Sequence, residues 1–104
     1  KVVEAATRQL KKLSHTTSIY MQPKYHEYAE KLTAKMPGNL KVVYMTNSGS
    51  ESNELAFQLA KLHTGANDII SLRNGYHGGT YKTNAATASS VWRYPMPAAS
   101  GHIH

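Results

Sequence analysis

The chain has 104 residues and carries twelve Lys and Arg against six Asp and Glu, which gives a formal charge of +6. With 40% apolar and 17% charged residues it is not a disordered tail, and it is too short to form a large two-layer enzyme alone. The absence of cysteine excludes disulfides and cysteine–zinc sites, and no apolar run approaches the roughly 20 residues of a membrane-spanning helix.

The first part of the chain contains two segments with helical periodicity. Apolar residues recur at intervals of three and four over residues 1–13 and again over 25–36, which predicts two amphipathic helices. A Ser- and Thr-rich loop that ends at Pro23 separates them, and Pro37 ends the second helix. The sequence starts within a predicted helix and without Met, so we expect it to be a segment of a longer protein.

The middle of the chain has the order strand, turn, helix, strand. Residues 40–45 and 68–72 are short β-branched or aromatic runs typical of buried strands, and an amphipathic helix is predicted over about 51–63. This order indicates a βαβ unit, which requires a parallel sheet with a right-handed crossover. The predicted class is therefore α/β, a partial parallel sheet with flanking helices. Residues 85–104 are rich in Ala, Ser and Pro and are expected to be irregular.

The turn between the first strand and the helix contains Ser48, Gly49, Ser50 and Glu51. A helix N-terminus has unpaired backbone amides and a partial positive charge, and Gly and Ser at that point suit a bound phosphate. Ser48 and Glu51 also have the spacing of a capping box, a purely structural arrangement. The spacing alone leaves both interpretations open, and neither a Walker A motif nor a G-x-G-x-x-G motif is present.

A second glycine-rich turn, Asn74-Gly75-Tyr76-His77-Gly78-Gly79-Thr80, follows the second predicted strand. Because the carboxyl ends of parallel strands share one edge of a sheet, both turns are expected at that edge. Tyr76 is a candidate to stack on a flat heterocycle, and the alternative is a half-buried loop tyrosine. His77 is a candidate general base, and the alternative is a histidine satisfied by nearby backbone.

The pairing of NSGSESNELA with GYHGGT resembles the class III pyridoxal phosphate-dependent aminotransferases, over roughly residues 1–85. The resemblance implies that residues 1–104 are one fragment of the cofactor-binding large domain of a type I pyridoxal phosphate-dependent transferase. It also implies which residues bind pyridoxal 5'-phosphate: Ser48, Gly49, Ser50, Asn53, Tyr76 and His77. Tyr20 is implied to lie near the substrate. The resemblance places the Schiff-base lysine of such enzymes beyond this chain, so no catalytic residue is assigned here and the fragment alone is expected to be inactive.

The family resemblance implies an enzyme that moves an amino group from an amino acid, such as alanine, to a small 2-oxo acid, such as glyoxylate. It further implies a homodimer and a mitochondrial location. The partners expected are these small substrates, with neither nucleic acid nor membrane, since the basic residues are scattered rather than clustered.

Other functions remain open at this point. Related class III enzymes, an ω-amino acid transaminase or a phosphoethanolamine-type lyase, share both motifs. A stand-alone flavodoxin-like module that binds another phosphate ligand is a second alternative. Metal binding is not expected, because among six histidines only the pair His102 and His104 is close in sequence and no third ligand is near it.

Overall fold

A computed structural model of the chain describes residues 1–94 and 102–104. The chain divides into two compact units, Lys1–Tyr44 and Met45–His104. The first unit contains helices α1, Val2–Lys12, and α2, Pro23–Thr33. The second contains α3, Gly49–Thr64, and α4, Tyr81–Ala86.

Both helices of the first unit match the predicted periodic segments. Pro23 occupies the first turn of α2, where its missing N–H costs no hydrogen bond. The helix ends near Thr33, whose hydroxyl donates to the carbonyl of Ala29 at 2.9 Å. The Tyr25 hydroxyl donates to the carbonyl of Val43 at 3.4 Å and so links α2 to the apolar run that follows it.

Helix α3 is longer than predicted and begins two residues earlier, directly after Ser48, which is its N-cap. It ends at Gly65, which has the left-handed conformation with φ of 69° and donates its N–H to the carbonyl of Lys61 at 2.9 Å. Glycine is favoured at this position because a side chain disfavours positive φ.

The predicted strands are not confirmed. Within the described residues, 40–45 form no regular element, and 68–72 contribute only one isolated parallel bridge, between Ile69 and Ile103. The bridge consists of the bonds from Ile69 N–H to the carbonyl of His102 at 2.8 Å and from His104 N–H to the carbonyl of Ile69 at 2.9 Å. One further bond, from Ser71 N–H to the carbonyl of His104 at 2.8 Å, extends this pairing. A strand is defined by bonds to its neighbours, so apolar runs without neighbours do not register as strands. The parallel sheet remains a prediction.

The expectation that residues 85–104 are irregular agrees with the structure over 87–94, which contain no helix or strand, and differs from it at both ends. Helix α4 includes Ala85 and Ala86, and residues 102–104 pair with 69–71. The part of that expectation that concerns residues 95–101 falls outside the described residues. Helix α4 was not predicted, because its sequence is short and polar and has no apolar periodicity.

Burial is concentrated in and next to α4. Among the described residues, the buried apolar side chains are those of Ala85 and Ala86, and the adjacent Thr83 and Thr87 are completely buried. By contrast, the apolar side chains of Ile70 and Leu72 are 86% and 77% exposed. In the described part of the chain, no helix has the length and apolar character to cross a membrane.

We expect the 104-residue polypeptide, produced by itself, to bind the dye ANS and to melt over a broad temperature range. The physical reason is the exposed apolar surface left by residues such as Val42, Ile70 and Leu72. ANS fluorescence and differential scanning calorimetry measure both properties. A sharp melt without dye binding contradicts this expectation and favours a stand-alone module.

The Asp68 carboxylate is predicted to make the pairing of 69–71 with 102–104 sensitive to acid. A hydrogen bond with His102 Nδ1, at 2.9 Å, lowers the pKa of Asp68. Because this pKa is lower in the folded than in the unfolded chain, the stabilisation is complete above the unfolded value of about 3.9. It is lost as the pH falls through the lower folded value.

The measurement is the amide-exchange protection of Ser71 and His104 between about pH 5 and pH 2, corrected for intrinsic exchange rates. We expect a small loss of protection, because both side chains of the pair are more than half exposed to screening by solvent. The Asp68→Asn variant is the control and is expected to show no such loss; an equal loss in the variant rules out the carboxylate.

Candidate functional site

The N-terminus of α3 is capped by Ser48. Its Oγ accepts a hydrogen bond from the N–H of Glu51 at 3.1 Å. The Glu51 carboxylate reaches back to accept from the N–H of Asn47 at 2.6 Å, one residue before the cap, so the arrangement is a variant of the predicted capping box. The structural interpretation of Ser48 and Glu51 is therefore confirmed.

Capping leaves donors available at the same point. Within the described part of the chain, no acceptor is assigned to the backbone amides of Gly49 and Ser50. A Cβ built on Gly49 has no atom of the described residues outside its own helix turn within 4 Å, so the Cβ side of Gly49 is open. The hydroxyls of Ser48 and Ser50 each act as an acceptor and keep a hydrogen to donate. Two amides and two hydroxyls at a helix N-terminus suit an anion.

The two glycine-rich turns that the sequence singles out are joined by hydrogen bonds. The Ser50 Oγ accepts from the N–H of Gly79 at 3.1 Å. One helical turn later, the Asn53 side-chain amide donates to the carbonyl of His77 at 2.7 Å. Asn53 therefore supports the second turn with its Nδ2, and its position fits a supporting role better than direct contact with an anion. The structure thus brings Ser48, Gly49, Ser50, Asn53 and His77 into one region.

Glu54 is a third link between α3 and the second turn, and the sequence analysis did not identify it. One oxygen of its carboxylate accepts from the Thr80 hydroxyl at 2.7 Å and from the N–H of Lys82 at 3.0 Å. Ser50, Asn53 and Glu54 have i, i+3, i+4 spacing, which places them on one face of a helix. The spacing of these three polar residues was the signal in the sequence from which the role of Glu54 could have been inferred.

Two buried threonines hold the second turn from its other side. The Thr87 hydroxyl accepts from the N–H of His77 at 3.0 Å and donates to the carbonyl of Thr83 at 2.9 Å. The Thr83 hydroxyl accepts from the N–H of Thr80 at 3.0 Å. Both backbone groups of His77 are consequently fixed, the N–H by Thr87 and the carbonyl by Asn53.

The aromatic residue of the second turn is accessible. Tyr76 is 61% exposed, and its ring meets that of Trp92 edge to face with centroids 6.2 Å apart. With 61% of the residue exposed, part of the tyrosine ring remains accessible for stacking. The adjacent His77 has a buried Nε2 with no hydrogen-bond partner among the described residues, so this atom is not satisfied by nearby backbone.

Tyr20, the predicted substrate residue, belongs to the first unit and is 68% exposed. It lines a local cavity of about 300 Å³ in the loop before α2, together with Ile19, Met21 and Tyr25. In the described ranges, 1–94 and 102–104, no group of three or more His, Cys, Asp or Glu residues has the geometry to hold a metal ion.

Comparison with known proteins identifies the family. The model of the family "Aminotransferase class-III" matches residues 1–104. The chain is 46% identical over 101 residues to alanine–glyoxylate aminotransferase 2 homolog 2, mitochondrial, of Arabidopsis thaliana, covering 97% of this chain and 21% of that protein. It is 44% identical to the mitochondrial alanine–glyoxylate aminotransferase 2 of Homo sapiens, covering 97% and 20%.

Among solved structures, the chain resembles a phospholyase from Arthrobacter in complex with phosphoethanolamine, with a TM-score of 0.88 and 33% identity. The match covers 99% of this chain and 24% of that one, and it is consistent with the transferase fold implied by the resemblance. The chain spans about a fifth of the length of the curated relatives it matches. It belongs to the class III aminotransferase family, and the resemblance inferred from the two motifs is confirmed.

Replacing Gly78 with Ala is predicted to damage the junction between the two turns. Gly78 has φ of +130°, and a Cβ there would meet Ser50 Oγ and, at 2.8 Å, Thr83 Oγ1. A non-glycine residue in this region of backbone space costs about 1–3 kcal/mol before any contact is counted. We therefore expect Gly78→Ala to lower the free energy of unfolding of the full-length protein by about 2 kcal/mol or more.

The matched control is Gly79→Ala, since a Cβ on Gly79 has no atom within 4 Å. Urea denaturation of both variants gives the comparison. Equal stability of the two variants contradicts the close approach of Gly78 to Ser50.

Proposed function

We propose that the full-length protein is a pyridoxal phosphate-dependent aminotransferase and that this chain supplies the cofactor's phosphate site and its stacking ring. The observation that carries the proposal is the start of α3, where the amides of Gly49 and Ser50 have no acceptor among the described residues and the hydroxyls of Ser48 and Ser50 each keep a hydrogen to donate. Membership of the class III family supports pyridoxal phosphate as the anion.

The donor set fits a phosphate monoester. Backbone amides at the start of α3 point along the helix axis and, with the partial positive charge of the helix, stabilise a negatively charged group. Serine hydroxyls add two uncharged donors. Helix α3 is 16 residues long, which makes its N-terminus stable. The nearby carboxylate of Glu51 is occupied by its hydrogen bond with the N–H of Asn47.

Tyr76 is proposed to stack on the pyridine ring, because it is exposed and its ring also contacts that of Trp92. His77 is proposed to stand beside the cofactor, with a buried Nε2 that has no described partner. When bound, pyridoxal phosphate supplies an electron-withdrawing ring, and the protein's contribution is to bind and orient it. Asn53 and Glu54 keep the turn that carries these residues in place.

The remaining catalytic parts are proposed to lie outside these 104 residues. A transaminase needs a lysine that forms a Schiff base with the cofactor, and we assign none of the lysines of this chain to that role. We therefore propose that the chain alone is inactive. Tyr20 is proposed to approach the substrate in the full-length protein.

The proposed substrates are alanine and glyoxylate, and the proposed location is the mitochondrion. Support comes from the names of the relatives in Arabidopsis thaliana and Homo sapiens. A homodimer without nucleic acid or membrane partners completes the proposal. The second candidate is a phosphoethanolamine-type lyase, which the structural likeness to the Arthrobacter phospholyase favours.

Turnover by the full-length protein distinguishes these activities. The expected result is glycine formation from glyoxylate with alanine as amino donor, measured by chromatography of derivatised amino acids. The control substrate is phosphoethanolamine, from which no phosphate release is expected. Phosphate release without amine transfer overturns the aminotransferase proposal and leaves the lyase.

The phosphate site has its own test, which uses two substitutions at Ser48. Asn and Asp both cap helices about as well as Ser, so Ser48→Asn and Ser48→Asp should leave the cap largely intact. Only Asp adds a negative charge, which repels a phosphate at that point. We expect the dissociation constant for pyridoxal phosphate to be at least about tenfold higher in the Asp variant than in the Asn variant.

Pyridoxal, which lacks the phosphate, is the matched ligand control and should distinguish the two variants little. Fluorescence or absorbance titration of the full-length variants provides the constants. Equal affinities of both variants for pyridoxal phosphate place the phosphate away from Ser48.

A further inference from the structure

A basic groove in the first unit has no role in the proposed function. It is lined by residues of both α1 and α2 and has a volume of about 480 Å³. Four cationic side chains line it: Arg8, Lys12, Lys24 and Lys31. The lining also contains one carboxylate, that of Glu27.

The positions of these residues follow from helix geometry. Arg8 and Lys12 are four residues apart on α1, and Lys24 and Lys31 are seven apart on α2, so each pair occupies one helix face. Cationic residues of both helices therefore line the same space.

The single carboxylate does not neutralise the groove. Glu27 is engaged by the Lys24 ammonium at 2.7 Å, and this contact lowers the pKa of Glu27 so that the pair stays ionised. Arg8, Lys12 and Lys31 form no ion pair with any of the residues that the structure describes. Four cations and one anion leave a local charge of +3.

We propose that this groove binds the phosphate chain of a small di- or triphosphate. Lysine ammonium groups are common phosphate ligands, and arginine adds a fork that contacts two phosphate oxygens. Tyr28 and Gln9 also line the groove, and their uncharged side chains carry hydrogen-bond donors. The volume lies within the range of small-molecule sites, so a compact anion is favoured over an extended polymer.

The test is isothermal titration of the full-length protein with sodium tripolyphosphate at about physiological ionic strength. Excess pyridoxal phosphate is present so that the turn at Ser48–Ser50 is occupied. We expect Lys12→Gln to weaken binding at least about fivefold, because it removes a charge-assisted contact. The matched control is Lys11→Gln. Lys11 precedes Lys12 in the same helix and does not line the groove, so this substitution should change the affinity by less than about twofold.

Two further ligands identify the source of the phosphate chain. ATP that binds as tightly as tripolyphosphate indicates that the chain alone is recognised, and tighter binding of ATP indicates a nucleotide. The proposal is overturned by an absence of binding, by equal effects of the two lysine substitutions, or by tighter, Lys12-dependent binding of a duplex oligonucleotide. The last result assigns the groove to a polymer.

Discussion

The second unit depends on hydrogen bonds from one face of α3 to the glycine-rich turn that follows residue 73. Ser50, Asn53 and Glu54 each bind backbone or hydroxyl groups of that turn. Because these bonds end mostly on backbone groups, they fix the path of the turn rather than single side-chain positions. Gly78 also lies so close to Ser50 that a side chain at position 78 would collide with it, which restricts the path of the turn further. Any ligand held at the start of α3 therefore lies beside a turn whose geometry α3 itself determines.

The sequence predicts the local features of this fold well, because their causes are local. Pro23 at the start of α2, Ser48 as the cap of α3 and Gly65 at its end are each decided by backbone chemistry within a few residues. The predicted strands depend on neighbours, and the described chain offers residues 69–71 a single short partner, 102–104. The apolar composition of residues 40–45 predicts that they are buried. The local sequence does not show which other segment would pack against them.

The site shows the same division between local and distant causes. Ser48, Gly49 and Ser50 are recognisable because the donors of a helix N-terminus are adjacent in sequence. Asn53 was identified through the family motif, and Tyr76 was first singled out as an aromatic residue in the glycine-rich turn after the second predicted strand. The roles of Glu54, Thr83 and Thr87 depend on contacts across 26, 3 and 10 residues. The spacing of Glu54 relative to Ser50 and Asn53 marks a polar face of α3 but not the turn that this face binds, and Thr83 and Thr87 carry no periodic signal.

The two interpretations of Ser48, a helix cap and a phosphate ligand, are compatible because they use different parts of one hydroxyl. The cap uses the oxygen as an acceptor for the N–H of Glu51, and a ligand would use the hydroxyl hydrogen. The same holds for Ser50, whose oxygen accepts from Gly79 while its hydrogen remains available. Capping also occupies the N–H of Glu51 and leaves those of Gly49 and Ser50 for an anion. The folded arrangement of these serines therefore prepares the donor set instead of competing with it.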